Sequence, residues 1–294
     1  MATSPREIRR RIKSVKNIGQ ITKAMELVAA AKMRKSQNQA TASRPYSVMT
    51  SELLRNLLKK NAEFNNPLIN RVMVDGARRA ASTKTLAILI TSDRGLAGAF
   101  NSNVINQALA VVKREGSEKL DFIAIGKKGA DVLRRRGQNI VAVFGAKDRN
   151  ITSADARPIA KIAVQDFLAY KYNKVFIIYT DFVSTLVQKP NITQMLPLTK
   201  EEAEDSKVFD EILIEPGVEQ VLDRLVERTI EFAVYQTLVE SAASEHSARM
   251  VAMRNANEAA GELIDDLTLS YNQARQAGIT RELSEISAAK LAME

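Results

Sequence analysis

The chain has 294 residues, yet aromatic residues make up only 5% of it and tryptophan is absent. Long helices that bury Ala, Leu, Val and Met along a narrow seam fit this composition better than a compact globule does. Cysteine is also absent, which excludes disulfides, thiol nucleophiles and cysteine-ligated metals. Charges interrupt every apolar run before it reaches the roughly 18 residues of a membrane span, and arginines replace the core of a signal peptide. We therefore expect a soluble, cytosolic chain.

Charge is distributed unevenly along the sequence. Residues 1–60 carry 14 Lys or Arg against 3 Asp or Glu, whereas residues 217–294 carry 7 against 13. Because opposite charges attract, the two ends of the chain are predicted to lie against each other.

The first predicted element is a helix over about residues 4–59. Ser4 suits the N-cap, Pro5 the first helical position and Glu7 a capping box. We expect Pro45 to bend this helix without ending it. Apolar residues recur at every third or fourth position and predict a buried seam: Ile8, Ile12, Val15, Ile18, Ile21, Met25 and Val28.

In the middle of the chain, residues 84–215, apolar residues no longer recur at every third or fourth position but occur in short continuous runs. Short apolar runs predict strands at 85–91, 122–125, 140–144, 175–179, 192–198 and 208–214. Helical segments separate the first four runs, at 102–114, 127–136 and 153–171. This alternation predicts a small, doubly wound, Rossmann-like α/β domain, preceded by a polar and basic connector at 61–83.

A second long helix is predicted from Glu215-Pro216-Gly217 onwards, since no further proline follows. Its predicted seam contains Val218, Leu222, Leu225, Thr229, Phe232, Leu263, Leu267, Tyr271 and Ala274. Residues 241–260 are rich in Ala and Ser, which allows two helices to approach closely. The predicted fold class is therefore α/β, with a long antiparallel coiled coil of N- and C-terminal helices flanking the Rossmann-like domain. The predicted domains are 1–60, 61–83, 84–215 and 216–294.

One turn occupies the place where α/β folds bind phosphate groups. Residues 91–101, TSDRGLAGAFN, follow the first strand and open a helix. The run matches neither GxGxxG nor the P-loop, which favours a purely structural turn over a nucleotide site.

No catalytic or metal-binding constellation is evident elsewhere. His246 is the only histidine, so neither a catalytic triad nor a histidine-pair metal site can form, and we expect it on a solvated helix face. The acidic residues Glu258, Glu262, Asp265 and Asp266 are typical of a solvated or ion-paired helix face. We expect no cofactor.

The basic first helix admits more than one partner. It has the charge to bind nucleic acid or an anionic membrane surface. However, its first aromatic residue is Tyr46, so no ring interleaves with the basic cluster to stack bases. Pairing with the chain's own acidic helix and with an acidic protein surface is the better interpretation.

Four segments in register resemble the gamma subunits of F-type ATP synthases. They are IRRRIKSVKNIGQITKAMELVAAAKMRK at 8–35, TSDRGLAGAFN at 91–101, SEHSARMVAMRNANEAAGELI at 244–264 and YNQARQAGITRELSEI at 271–286. The resemblance implies a non-catalytic rotor shaft that couples the membrane c-ring to the alpha/beta hexamer. It also implies contact with the epsilon subunit and a position on the cytoplasmic face of a bacterial plasma membrane.

Five residues fall where the family contacts the hexamer. Met25 matches the contact in the first helix, and the C-terminal helix supplies Arg249, Gln276, Thr280 and Glu282. After ITRELSEI the family usually continues with Gly-Ala, whereas this chain has Ala289-Lys290. The resemblance therefore implies no particular contacts for the residues after Ile286.

Overall fold

The computed structural model describes residues 4–60, 66–69, 84–148, 150–198, 215, 217–291 and 293. These residues divide into two compact units. We call residues 30–248 the sheet unit, and residues 1–29 with 249–294 the helix-pair unit. The predicted strand at 208–214 and most of the predicted connector at 61–83 lie outside the described residues.

The sheet unit is built on five strands in the order β3-β2-β1-β4-β5. The strands are β1 (Thr85–Ile90), β2 (Leu120–Ile125), β3 (Asn139–Phe144), β4 (Lys174–Phe182) and β5 (Gln188–Leu196). The first four are mutually parallel, and β5 runs antiparallel to β4. Every residue of β1 and β2 is buried, as their uninterrupted apolar sequences predict for strands covered on both faces.

Three helices connect the parallel strands: α2 (Phe100–Glu115), α3 (Lys127–Arg135) and α4 (Ser153–Leu168). Side chains from α2 and α3, such as Val104 and Leu133, pack on the face of the sheet that presents Leu89 and Phe122. On the opposite face, Ile159 of α4 joins a cluster with Ile88. The predicted doubly wound α/β fold is therefore confirmed.

Two long helices, α1 (Pro5–Lys60) and α5 (Val218–Leu291), begin and end close to their predicted limits. Ser4 caps α1, since its Oγ accepts a hydrogen bond of 3.3 Å from the Glu7 amide. The helix continues through Pro45. In the sheet unit the ring of Tyr46 in α1 lies 4.7 Å from that of Phe232 in α5. Ser43, three residues earlier in α1, donates a hydrogen bond of 2.6 Å to Gln236, four residues later in α5, so the two helices are antiparallel here.

Residues 222–234 of α5 also form part of the core of the sheet unit. Leu222, Val226, Ile230 and Val234 recur at every fourth position and are fully buried against the α4 side of the sheet. A short turn, residues 66–69, packs against them: the side-chain Nδ2 of Asn66 donates a hydrogen bond to Asp223 Oδ1, and the backbone oxygen of Leu68 accepts one from the Leu198 backbone amide. The sheet and both helices thus share one core in this unit.

Candidate functional site

The turn after β1 is held together by its own polar groups. The Ser92 amide donates to Asn101 Oδ1 at 3.0 Å, and Asn101 Nδ2 donates to Ser92 Oγ at 2.8 Å. Asp93 Oδ1 accepts a hydrogen bond of 2.9 Å from the Lys127 amide. These bonds fix the ends of α2 and α3 beside β1, which supports the structural interpretation of the turn.

His246 does not lie on a solvated face, so that prediction was wrong. Its side chain is only 1% exposed, and its Nε2 lies 3.6 Å from Asp148 Oδ1. Asp148 also pairs with Lys32 of α1. The segment after β3 therefore covers this part of α5. The sequence carries one weak signal of the burial, because the residues around His246 are almost all Ala and Ser.

The acidic residues of α5 match their prediction. Glu258, Glu262, Asp265 and Asp266 are all exposed, and Arg254 Nε lies 3.3 Å from Glu258 Oε1 along the same helix. Among the described residues, no three His, Cys, Asp or Glu side chains are placed to hold a metal ion together. Within those same ranges, no helix is long and apolar enough to cross a membrane.

In the helix-pair unit, small residues form the contact between α1 and α5. A methyl group added at Gly19 would lie 3.6 Å from Asn257 Oδ1 and 3.7 Å from Ala260 Cβ. Thr22 and Ala29, three and ten residues further along, are buried as well. Glycine and alanine at such positions let two helices approach closely, as the Ala-rich sequence predicts.

This contact corrects the seam predicted for α1. Ile8 is buried and Ile12 and Val15 are half-buried, but Ile18, Ile21 and Val28 are 51%, 59% and 54% exposed. The inward positions continue at Gly19, Thr22 and Ala29, at heptad spacing from Ile12 and Val15. The sequence pattern followed the largest apolar residues, whereas close packing selected the smallest ones.

The displaced apolar residues form a stripe on the outside of α1. Ile18, Ile21, Met25 and Val28 are spaced by three, four and three positions and therefore share one helix face. Large apolar residues are also exposed along α5 in this unit: Leu263, Leu269, Ile279, Leu283 and Ile286. We call the four α1 residues the outer stripe. Exposed apolar patches of this kind mark protein-binding surfaces.

Exposed basic side chains accompany the outer stripe on α1. They are Arg6, Arg9, Arg10, Arg11, Lys13, Lys16 and Lys23. The ion pairs defined there, Arg11 with Glu7 and Lys23 with Glu26, each join residues of α1 itself. The two ends of the chain do lie together, but the contacts at Gly19 are made by small side chains. The positive charge of α1 is thus presented outwards.

The five predicted contact residues all lie in the helix-pair unit. Met25 and Arg249 are half-buried, whereas Gln276, Thr280 and Glu282 are exposed. Gln276 and Thr280 are four residues apart and share a face of α5. Ile18 and Ile21 lie on the same face as Met25, but the family resemblance did not include them among the predicted contacts.

Comparison with known proteins gives one consistent family. The family model described as ATP synthase matches residues 4–293. The ATP synthase gamma chain of Pelotomaculum thermopropionicum is 44% identical over 291 residues, covering 99% of either chain. The gamma chain of Symbiobacterium thermophilum is 43% identical over 287 residues, covering 97% of either chain.

Solved structures show the same fold at lower identity. A chain from the mitochondrial ATP synthase central stalk and c-ring of Tetrahymena thermophila has a TM-score of 0.62 at 23% identity. That match covers 80% of this chain and 99% of the other. A chain from the rotor of the Euglena gracilis mitochondrial ATP synthase has a TM-score of 0.65 at 20% identity, covering 94% and 98%.

Proposed function

The chain belongs to the ATP synthase gamma chain family, and we propose that it is the rotating shaft that couples the membrane c-ring to the catalytic alpha/beta hexamer. As a gamma subunit it is a non-catalytic part of the central stalk of an F-type ATP synthase. Turning of the ring drives ATP synthesis, and ATP hydrolysis in the hexamer drives the reverse rotation.

The observation that carries this proposal is the outer stripe of α1. A coiled coil that needed only itself would bury its large apolar residues and expose polar ones. Here Ile18, Ile21 and Val28 are more than half exposed, whereas Gly19 lies at the helix contact. The helix pair is thus narrow, and its largest apolar side chains are exposed for contact with an enclosing partner.

Charge supports the same assignment. The exposed Arg and Lys side chains of α1 surround the outer stripe and favour acidic loops on the partner. Each exposed pair contributes only about 0–1 kcal/mol, so torque is shared among many contacts. Because α1 is basic and α5 acidic, the shaft presents different faces to different catalytic subunits. Differential contact of this kind biases the nucleotide affinity of each beta site.

The residues proposed to contact the hexamer are Met25, Arg249, Gln276, Thr280 and Glu282. Met25 lies within the outer stripe, and exposed Gln276, Thr280 and Glu282 are available to a partner near the end of α5. We place the epsilon subunit and the c-ring against the α/β domain, residues 84–215, and the whole complex on the cytoplasmic face of a bacterial plasma membrane.

Co-expression with the alpha and beta subunits of the same organism tests the proposal. We expect a stoichiometric complex with ATPase activity, and we expect replacement of Ile18 and Ile21 by Ser to reduce its yield severalfold. A matched control replaces Val183 and Leu186, which are exposed at the β4–β5 turn of the sheet unit, by Ser. Failure to recover any complex with the unmodified chain would refute the shaft assignment. If both double variants lost complex equally, the outer stripe would have no specific role in assembly.

A further inference from the structure

One edge of the five-stranded sheet lacks the features that prevent pairing with other chains. β3 is the outermost strand on its side, and in the part of the chain that the structure describes no strand pairs with its outer edge. Its sequence, NIVAVF, contains no charge and no proline, and Val141 and Val143 are 36% and 43% exposed. Native proteins protect edge strands with lysine or proline, because an open edge accepts further strands. The outer edge of β3 is therefore open to an added strand.

The opposite edge of the sheet has the protection that β3 lacks. β5 contains Lys189 and Pro190. The side chain of Lys189 is exposed, and Pro190 has no amide hydrogen to donate to a neighbouring strand. Of the two edges that the described strands form, β3 is thus the one suited to pairing.

The backbone of β3 directs hydrogen-bonding groups away from the sheet. Val141 is an extra residue relative to β2, but Ala142, Val143 and Phe144 pair with β2 in regular parallel register. The carbonyl oxygen of Phe144 accepts a hydrogen bond of 2.8 Å from the Gly126 amide, so the backbone of Phe144 faces β2. Successive residues of a strand direct their N–H and C=O groups to opposite sides, so those of Val143 point to the outer edge. These are the groups that an added strand binds.

The helix beside this edge is strongly basic. α3 contacts both β2 and β3. Residues 127–138 contain five Lys or Arg against one Asp, and that residue, Asp131, lies 3.8 Å from Arg134. All five basic side chains are exposed: Lys127, Lys128, Arg134, Arg135 and Arg136. The surface next to β3 therefore has a surplus of positive charge and is complementary to an acidic partner.

We propose that β3 and the exposed basic side chains of α3, together called the basic edge, bind an extended acidic segment of a partner protein as a further strand. Main-chain hydrogen bonds to Val143 hold the segment, and its apolar side chains cover Val141 and Val143. Its acidic side chains pair with the cations of α3. The inference goes beyond the proposed function, because this contact requires neither rotation nor the alpha/beta hexamer.

Positive charge alone would also attract nucleic acid. However, α3 has the sequence KKGADVLRR and offers no aromatic ring on which a base could stack. The open strand edge and the exposed valines beside the charges are features that an extended peptide uses. A protein segment therefore fits the basic edge better than a nucleic acid does.

Binding of a synthetic peptide to the full chain tests the proposal. The probe is a short, fluorescently labelled peptide of alternating valine and glutamate, and fluorescence anisotropy measures its affinity. We expect it to bind and to protect the Val143 amide from hydrogen exchange. Methylation of every peptide amide should weaken binding at least about fivefold, since the hydrogen bonds to β3 are lost. Equal binding of the methylated peptide, or no protection of Val143, overturns the proposal.

A change in β3 itself tests the same hydrogen bonds from the other side. Val143→Pro removes the outward amide, whereas Val143→Thr keeps both the amide and the branched shape. We expect Val143→Pro to bind the peptide severalfold more weakly than Val143→Thr, and equal affinities would contradict backbone pairing. The comparison with the methylated peptide uses the unmodified chain, so it stands even if Val143→Pro does not fold.

The role of charge is tested by replacing Arg135 and Arg136 with Gln. We expect severalfold weaker peptide binding at low salt and a smaller difference at high salt. The matched control replaces Lys161 of α4 and Lys189 of β5, which are both exposed, with Gln. Equal weakening in both double variants would overturn the charge complementarity. If a single-stranded oligonucleotide protected Val143 more strongly than the peptide does, the partner would be nucleic acid and the proposal wrong.

Discussion

The two units of this chain use apolar residues in opposite ways. The sheet unit buries them in two clusters on either side of a five-stranded sheet, where Ile88 and Phe122 are completely inaccessible. The helix-pair unit places Gly19, Thr22 and Ala29 inside and leaves Ile18 and Ile21 exposed. The sheet unit thus buries its large apolar residues in its own core, whereas the helix-pair unit leaves several of them at its surface.

Removing one large apolar side chain from each unit is the strongest test of this difference. We expect Phe122→Ala to reduce the free energy of unfolding by about 3–5 kcal/mol, because it leaves a cavity between β2 and its helices. Ile21→Ala, in the outer stripe, is expected to change it by no more than about 0.5 kcal/mol. Urea unfolding followed by circular dichroism measures both. Similar losses for the two variants would show that Ile21 is buried in the free chain.

The next largest loss of stability is expected where the backbone is closely packed in the sheet unit. Gly126 follows β2 with a φ of 93°, and a Cβ there would lie 2.2 Å from the carbonyl oxygen of Thr91. We expect Gly126→Ala to cost about 2–4 kcal/mol, since both the backbone and the contact become strained. Gly137 also has a positive φ, of 69°, but its Cβ would enter open space.

Gly137→Ala is therefore the matched control, with an expected cost of about 1–2 kcal/mol from the backbone alone. Thermal or urea unfolding compares the two variants. An equal cost at both positions would mean that the contact with Thr91 contributes nothing.

The close approach of the helices in the helix-pair unit predicts a smaller and size-dependent effect. We expect Gly19→Leu to destabilise this unit by about 1–3 kcal/mol, because the seam beside Ala260 has no room for a large side chain. Gly19→Ala places a methyl group at ordinary contact distance and gains up to about 1 kcal/mol of helix propensity.

Hydrogen exchange of the α1 amides before residue 30 provides the measurement for Gly19, since it reports this unit separately. If Gly19→Leu were as stable as Gly19→Ala, the two helices would not pack as closely as the structure has them.

The smallest effect on stability is expected for the exposed charges of α1. Replacing Arg10 and Lys13 by Gln should change the free energy of unfolding by no more than about 0.5 kcal/mol. Association with the alpha and beta subunits should nevertheless slow severalfold at low salt, and the difference should vanish at high salt.

The control for charge is a double variant in which Lys113 and Lys161 are replaced by Gln. Both lysines are exposed in the sheet unit. Stopped-flow association kinetics at two salt concentrations distinguish the pairs. Equal slowing by both would indicate an effect of net charge alone and not of the α1 surface.

Much of the fold could be predicted because its signals are local. Ser4 and Pro5 mark the start of α1, and the lack of prolines after Pro216 predicts α5 as far as the end of the chain. Uninterrupted apolar runs such as residues 85–90 predict strands buried on both faces. The family resemblance was equally local, since it depended on contiguous segments of sequence.

The candidate site was predicted less well, because burial depends on residues far apart in the chain. Periodicity ranked Ile18 and Ile21 as core residues by their size, and it gave Gly19 no weight. His246 was expected in solvent, since nothing near it in sequence indicates that Asp148 lies against it.

The sequence by itself determined the two long helices, the alternating strands and helices between them, and the family. These follow from period, capping residues and turn residues, all of which act within a few positions. The tertiary structure alone decided which face of α1 turns inwards, that β5 runs antiparallel to β4, and that the side chain of His246 is buried beside Asp148. Those outcomes depend on how closely backbones approach and on which distant segments cover a side chain, and neither is local in the chain.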